Sequence, residues 1–202
     1  MVRRWAAALA VIGLAGVGGA GAVPSIDIAA AATSWLPQFV LTGTKTEPTY
    51  IEHIRLERNG DVFVLQGGAP AGMTPSRVSV ALHADGTLSY LNCPTEMRCH
   101  GATPPSGFLA SAAILAAIRE RQLSGRFPLI AYGGLQLVCI PAEQLGIHDA
   151  VLDPCIEAQS GAVIAQRHRR SGEFDGPSLD PWSITLSTSP VQLTSSTQSS
   201  SM

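Results

Sequence analysis

The sequence predicts an α+β fold: a largely antiparallel, hairpin-built sheet with one long apolar helix packed across it. Three observations carry that expectation. Much of the chain beyond residue 38 alternates apolar and polar side chains with the two-residue period of a half-buried strand. Two of the alternating stretches are broken by Asn59-Gly60-Asp61 and Ala84-Asp85-Gly86, where glycine supplies the positive φ that a tight hairpin turn requires. One segment, from Thr103 to Gly125, abandons alternation for a run of Ala, Leu, Ile and Phe that opens on a double proline.

The first element is not part of that fold. MVRRWAAALAVIGLAGVGGAGAVPSIDIAAAATSW joins two arginines to an uncharged run rich in Ala, Gly and Val that only Asp27 interrupts, the pattern of a basic n-region and an apolar h-region. The small side chains from Ala29 to Ala32 place the cleavage site near Ala32, with Ala22 the second choice because Val23-Pro24 follows it. Residues 1–32 are therefore read as a signal peptide or, since about 20 apolar residues can span a bilayer, as an uncleaved anchor, for which the glycines are poorly suited. Either way the remainder is expected outside the cytoplasm, secreted or in the cell envelope. Arg3-Arg4 lacks the rest of a twin-arginine pattern, and no cysteine follows the h-region to carry a lipid.

About 170 residues remain, enough for one domain, 33–188, with a real core. The first hairpin runs through Tyr50, Ile51, Ile54 and Leu56 to Val62–Leu65, and the second through Val78, Val80 and Leu82 to Leu88, Tyr90 and Leu91. Further strands are expected at 135–140, at 162–169 after the turn Gln159-Ser160-Gly161, and at 182–188. The helix begins at Ser106 as N-cap and closes with Arg119, Arg121 and Gly125. Its body is apolar on almost every side, so it must be broadly covered. Residues 189–202 continue a Ser/Thr/Gln-rich stretch that begins at Ser187, with little to bury, and read as a disordered tail.

A net charge of −2 with 14% charged residues gives no single-signed field for nucleic acid. Gly67, Gly68 and Gly72 are interrupted by Pro70 and lead to Pro75 instead of a helix, so no dinucleotide loop is read. Gly-x-Ser-x-Gly and His-Glu-x-x-His are both absent. In HDAVLD (148–153) His148 precedes Asp149, but adjacency does not build a dyad. No cofactor or catalytic residue is implied.

Four cysteines lie in the exported part, and an even number in an oxidising compartment means disulfides. Three pairings are possible, and neighbours in sequence are favoured: Cys93 with Cys99, and Cys139 with Cys155. A metal site recruiting His100 or His148 would want its cysteines in closer pairs, and a redox site would want Cys-x-x-Cys.

Two groups are candidates for binding. Phe108, Leu109, Ile114, Leu115 and Ile118 on the helix could fill a core or line a ligand pocket. Arg167, His168, Arg169 and Arg170 could meet an anionic or protein partner, or could pair with the acidic residues Glu173 and Asp175 that follow.

The element order, with hairpin strands, an apolar helix, a strand ending in Cys139 and then PCIEAQSGAVIAQRHR (154–169), resembles secreted bacterial proteins of the LolA and LppX-like group. That resemblance implies a curved antiparallel sheet around an apolar cavity that carries or senses a lipid, and no catalysis. This chain departs from the group in being short, in lacking a lipid-attachment cysteine and in having one clear helix. The expected function is an exported, non-enzymatic carrier or binding protein of the cell envelope for an apolar ligand held between helix and sheet. An envelope interaction module working through residues 167–170 is the alternative, followed by an unrecognised hydrolase.

Overall fold

A computed structural model describes residues 23–46, 48–67, 76–94, 105–148, 150–174 and 179–188. The first 22 residues, Cys99, His100, Asp149 and the tail at 189–202 lie outside the described residues. Among those described, the architecture is α+β with antiparallel strands throughout, arranged as three sheets rather than one.

The folded part starts upstream of Thr33. Strand β1 (Ser25–Asp27) runs directly into the short helix α1 (Ile28–Ala32). Asp27, the residue that breaks the apolar run, is the N-cap: its carboxylate accepts from the Ala30 N–H at 2.9 Å. Four alanines carry the turn, and the hydroxyls of Thr33 and Ser34 close it by donating to the Ala30 and Ala31 carbonyls. Ile28 is fully buried, and its N–H donates to the Gly125 carbonyl at 3.0 Å.

Five strands then meander through β2 (Gln38–Thr46), β3 (Ile51–Asn59), β4 (Val62–Gly67), β5 (Ser76–Leu82) and β6 (Leu88–Asn92). The Asn-Gly turn joins β3 to β4 with Gly60 at φ +60°, and the second joins β5 to β6 with Gly86 at +89°. Phe39, Leu41, Ile54, Leu56, Phe63, Val78, Val80 and Leu82 face inward at alternate positions.

The helix is not the long element expected. A 3-residue 3-10 turn, Gly107–Leu109, leads into the 10-residue α2 (Ala110–Arg119). Ser106 makes no capping bond. The end comes early because Arg121 takes the left-handed conformation, φ +59°, and the N–H groups of Gln122 and Leu123 both bond to the Ala117 carbonyl. Gly125, read as the terminator, instead supplies the carbonyl that meets Ile28. Broad burial was expected and is found: Ala110 to Ala117 are all buried. Ser111 accepts the Val163 N–H at 2.8 Å on one side, and Arg119 pairs with Asp61 on the other.

The chain continues through β7 (Arg126–Pro128), β8 (Ile130–Tyr132), β9 (Leu135–Cys139), β10 (Leu152–Glu157), β11 (Val163–His168) and β12 (Thr185–Ser187). β7 pairs with β1. A four-stranded sheet has the order β11-β10-β9-β8, and β12 returns to the edge of the six-stranded sheet beside β2. β10 begins inside the HDAVLD stretch and falls outside the strands expected at 135–140 and 162–169. Its Pro154 sits within the sheet, and the carbonyl of that residue accepts from Ile140 N–H at 2.9 Å.

Candidate functional site

The helix residues proposed as a pocket lining are core. Phe108, Leu109, Ile114 and Leu115 are buried and Ile118 is half-buried, all packed with Leu56, Phe63, Val80, Leu137 and Ile164 in one cluster. A cleft among the described residues lies elsewhere, between the two larger sheets, and none of the five lines it.

That cleft draws its aliphatic side chains from four elements. Leu41 rises from β2, Leu135 from the start of β9, Ile164 from β11, and Ile184 and Leu186 from the returning segment that ends in β12, with Pro181 and Gly133 at its wall. Its volume is about 110 Å³. The tight hairpin Gly133-Gly134, at φ +55° and +84°, shapes one side, and a side chain at Gly133 would strike Pro181 at 2.4 Å. The lone charge is Glu157. It is buried, and its two carboxylate oxygens accept the Gln159 N–H at 3.0 Å and the Ser160 N–H at 2.7 Å. The carboxylate is thereby committed to the β10–β11 turn, which leaves aliphatic groups to set the character of the cleft. These residues escaped the sequence reading because they belong to four separate stretches. The Gly133-Gly134 pair between apolar runs was the signal that could have located one wall.

The returning segment is pinned to both sheets. The Tyr132 hydroxyl donates to the Leu179 carbonyl at 2.6 Å, and the Asp180 N–H donates to the Thr44 carbonyl at 2.7 Å. Tyr132 also packs against Phe174, with ring centroids 4.6 Å apart and planes tilted by 49°. Burial, with the Asp180 carboxylate second, pushes the Tyr132 phenol above its ordinary pKa.

The basic edge is largely occupied by its own surroundings. The Arg167 guanidinium donates to the Gly172 carbonyl. Arg169 pairs with Glu143 and, at 3.6 Å, with Asp153, and these contacts raise its pKa, the hydrogen bond to Glu143 most. The His168 Nδ1 accepts from the Arg170 and Ser171 N–H groups. The acidic partners of Arg169 are Glu143, on the 3-10 turn Ala142–Leu145, and Asp153 of β10, while Asp175 lies outside the described residues.

A disulfide joins Cys139 to Cys155, directly opposite each other on β9 and β10. Cys93 is also disulfide-bonded, and its expected partner Cys99 lies outside the described residues. Among the described residues no three His, Cys, Asp or Glu side chains gather as a metal site, and no helix is long and apolar enough to cross a membrane.

Among the described residues, His83 Nε2 lies 2.8 Å from Ser89 Oγ across the β5–β6 hairpin. A nucleophile needs its base oriented by a third group. The nearby Asp85 instead accepts from the Thr87 hydroxyl at 2.6 Å and from the Thr87 N–H at 3.0 Å. The pair braces an exposed turn.

No family model, curated protein or solved structure matches the chain.

Proposed function

We propose that this protein is an exported, non-enzymatic binding module of the cell envelope that takes an apolar group in the cleft between its two larger sheets. The observation that carries the reading is the aliphatic lining, Leu41, Leu135, Ile164, Ile184 and Leu186, around a volume of about 110 Å³. Ligand sites that engulf a drug-sized molecule run to roughly 300–1,000 Å³. This cleft therefore accepts the end of a chain or one apolar side chain, and the rest of the ligand stays outside. The Cys139–Cys155 disulfide is compatible with an extracytoplasmic location. The commitment of Arg167 and Arg169 to internal partners favours the cleft over the basic edge as the binding surface.

The test is a titration with medium-chain fatty acids followed by methyl NMR. Shifts that saturate and are confined to Leu135, Ile164, Ile184 and Leu186 support the reading, and Leu135→Trp, which fills the cleft, should abolish them. Shifts spread over α2, or none at all, overturn it. Lipid recovered by solvent extraction from protein purified out of a bacterial envelope would support it independently.

A further inference from the structure

We propose that a membrane signal peptidase cuts this chain between Ala22 and Val23, and that residues 23–32 remain in the mature protein as a structural element. The proposal rests on the export reading above and names its processing site. Water adds across the Ala22–Val23 peptide bond and the C–N bond breaks, leaving a carboxylate on Ala22 and an amino group on Val23.

Two adjacent sites compete in the sequence. Ala29 to Ala32 present small residues before Thr33, and Ala20-Gly21-Ala22 presents a small-x-small triplet just before Val23-Pro24. The structure separates them. Cleavage after Ala32 would discard β1 and α1 together. β7 pairs through Ser25↔Pro128, Ile26↔Phe127 and Asp27↔Arg126 with β1 and would lose that partner. The Leu129 N–H would lose the Pro24 carbonyl, 2.8 Å away, and the Arg126 guanidinium would lose the Ser25 hydroxyl and carbonyl. Ile28, fully buried in the core cluster, would leave its site empty. Asp27 has a defined job as the cap of α1, which a residue of a discarded leader would not need.

Cleavage after Ala22 removes none of this. Val23 is 68% exposed, and Pro24 beside it is exposed too. The new N-terminus would therefore lie in solvent, one residue from the first contact that the fold uses. Pro24 falls at the second position after the cut, and its ring holds φ near the extended range in which a protease reads its substrate.

The experiment expresses the full 202-residue chain in a bacterium with general secretion and reads intact mass and N-terminal sequence of the recovered protein. A mature chain beginning at Val23 is the expected result. Ala22→Lys should leave the precursor uncut. Ala30→Lys, at an exposed position that would block a peptidase acting after Ala32, should leave processing unchanged. A chain beginning at Thr33, or unprocessed wild-type protein in the envelope with its disulfides formed, overturns the cut at Ala22 while leaving the export reading standing. Full-length protein recovered from the cytoplasm with reactive thiols overturns both.

Discussion

Single residues in this fold are held by backbone geometry as much as by burial, and Gly161 shows it most clearly. It turns the chain between β10 and β11 at φ +75°, and a Cβ there would come within 2.6 Å of the Trp35 ring. That ring is itself buried and fixed by its N–H donating to the Ala158 carbonyl at 3.1 Å, so it cannot swing away without losing a bond. Gly161→Ala should therefore cost about 1–2 kcal/mol for the left-handed backbone and about 1–3 kcal/mol more for overpacking, read as a fall in thermal midpoint. A second residue-scale expectation concerns acid. The Thr87 hydroxyl, and next the Thr87 N–H, hold the Asp85 carboxyl below the usual carboxylate range. Because the folded value is depressed, this contribution is present above the unfolded value near pH 4 and is lost as pH falls through the folded one. In Thr87→Val the first cause goes while the N–H bond stays, so the carboxyl carbon of Asp85 should titrate at higher pH by NMR than in the wild type. An unchanged titration would show that the hydroxyl is irrelevant.

At the scale of elements, legibility in the sequence tracks whether the determining contact is local. The hairpins at Gly60 and Gly86 could be read because a positive-φ turn is written in adjacent residues. The burial of α2 could be read because its body carries no charge. Its length could not, since the stop at Arg121 depends on a non-glycine residue taking a left-handed backbone and on Gly125 being used by α1. The role of Ser25 to Ala32 was hidden for a different reason: an alanine run after an apolar stretch reads the same in sequence whether or not it folds. The cleft was hidden because its walls come from four stretches that only the tertiary fold brings together. The helix makes one testable demand of its own. Ser111, 1% exposed, is the acceptor for the Val163 N–H, which joins α2 to the four-stranded sheet. Ser111→Ala leaves that buried N–H without its acceptor and should cost about 1–3 kcal/mol in denaturant unfolding. A loss near zero would mean that the helix is seated by its apolar side chains alone. The disulfide acts on the same sheet: it closes a sequence separation of 16 residues between β9 and β10. Replacing both Cys139 and Cys155 by Ser should cost about 3 kcal/mol on the chain-entropy account.

For the whole molecule, the decisive joint is the segment that leaves β11's neighbourhood and returns as β12, because it is bonded to both larger sheets at once. Leu179 is buried, with its carbonyl held by Tyr132 from the four-stranded sheet. One residue on, the Asp180 N–H reaches Thr44 of the six-stranded sheet. The Asp180 carboxylate accepts from the Thr46 hydroxyl at 2.7 Å, and the Ser183 hydroxyl accepts the Thr44 N–H at 2.8 Å. The same segment supplies Pro181, Ile184 and Leu186 to the cleft, so the cleft and the union of the sheets share one stretch of chain. Asp180→Ala removes the carboxylate bonds while sparing the backbone, and about 1–3 kcal/mol of stability should go with them. The loss should be local: amide exchange at Thr42 and at residues 185–187 should quicken while α2 keeps its protection. The variant also separates two causes at alkaline pH. Raised by burial and then by the Asp180 charge, the Tyr132 phenol stays protonated in the fold to higher pH than in the unfolded chain, so stability present below about pH 10 is lost as pH climbs through the folded value. Without Asp180 the phenol should ionise at lower pH than in the wild type, visible as an earlier rise in tyrosinate absorbance. If exchange instead quickened equally across both sheets and α2, the joint would be no more than one tie among many, and the cleft would owe its shape to the sheets themselves.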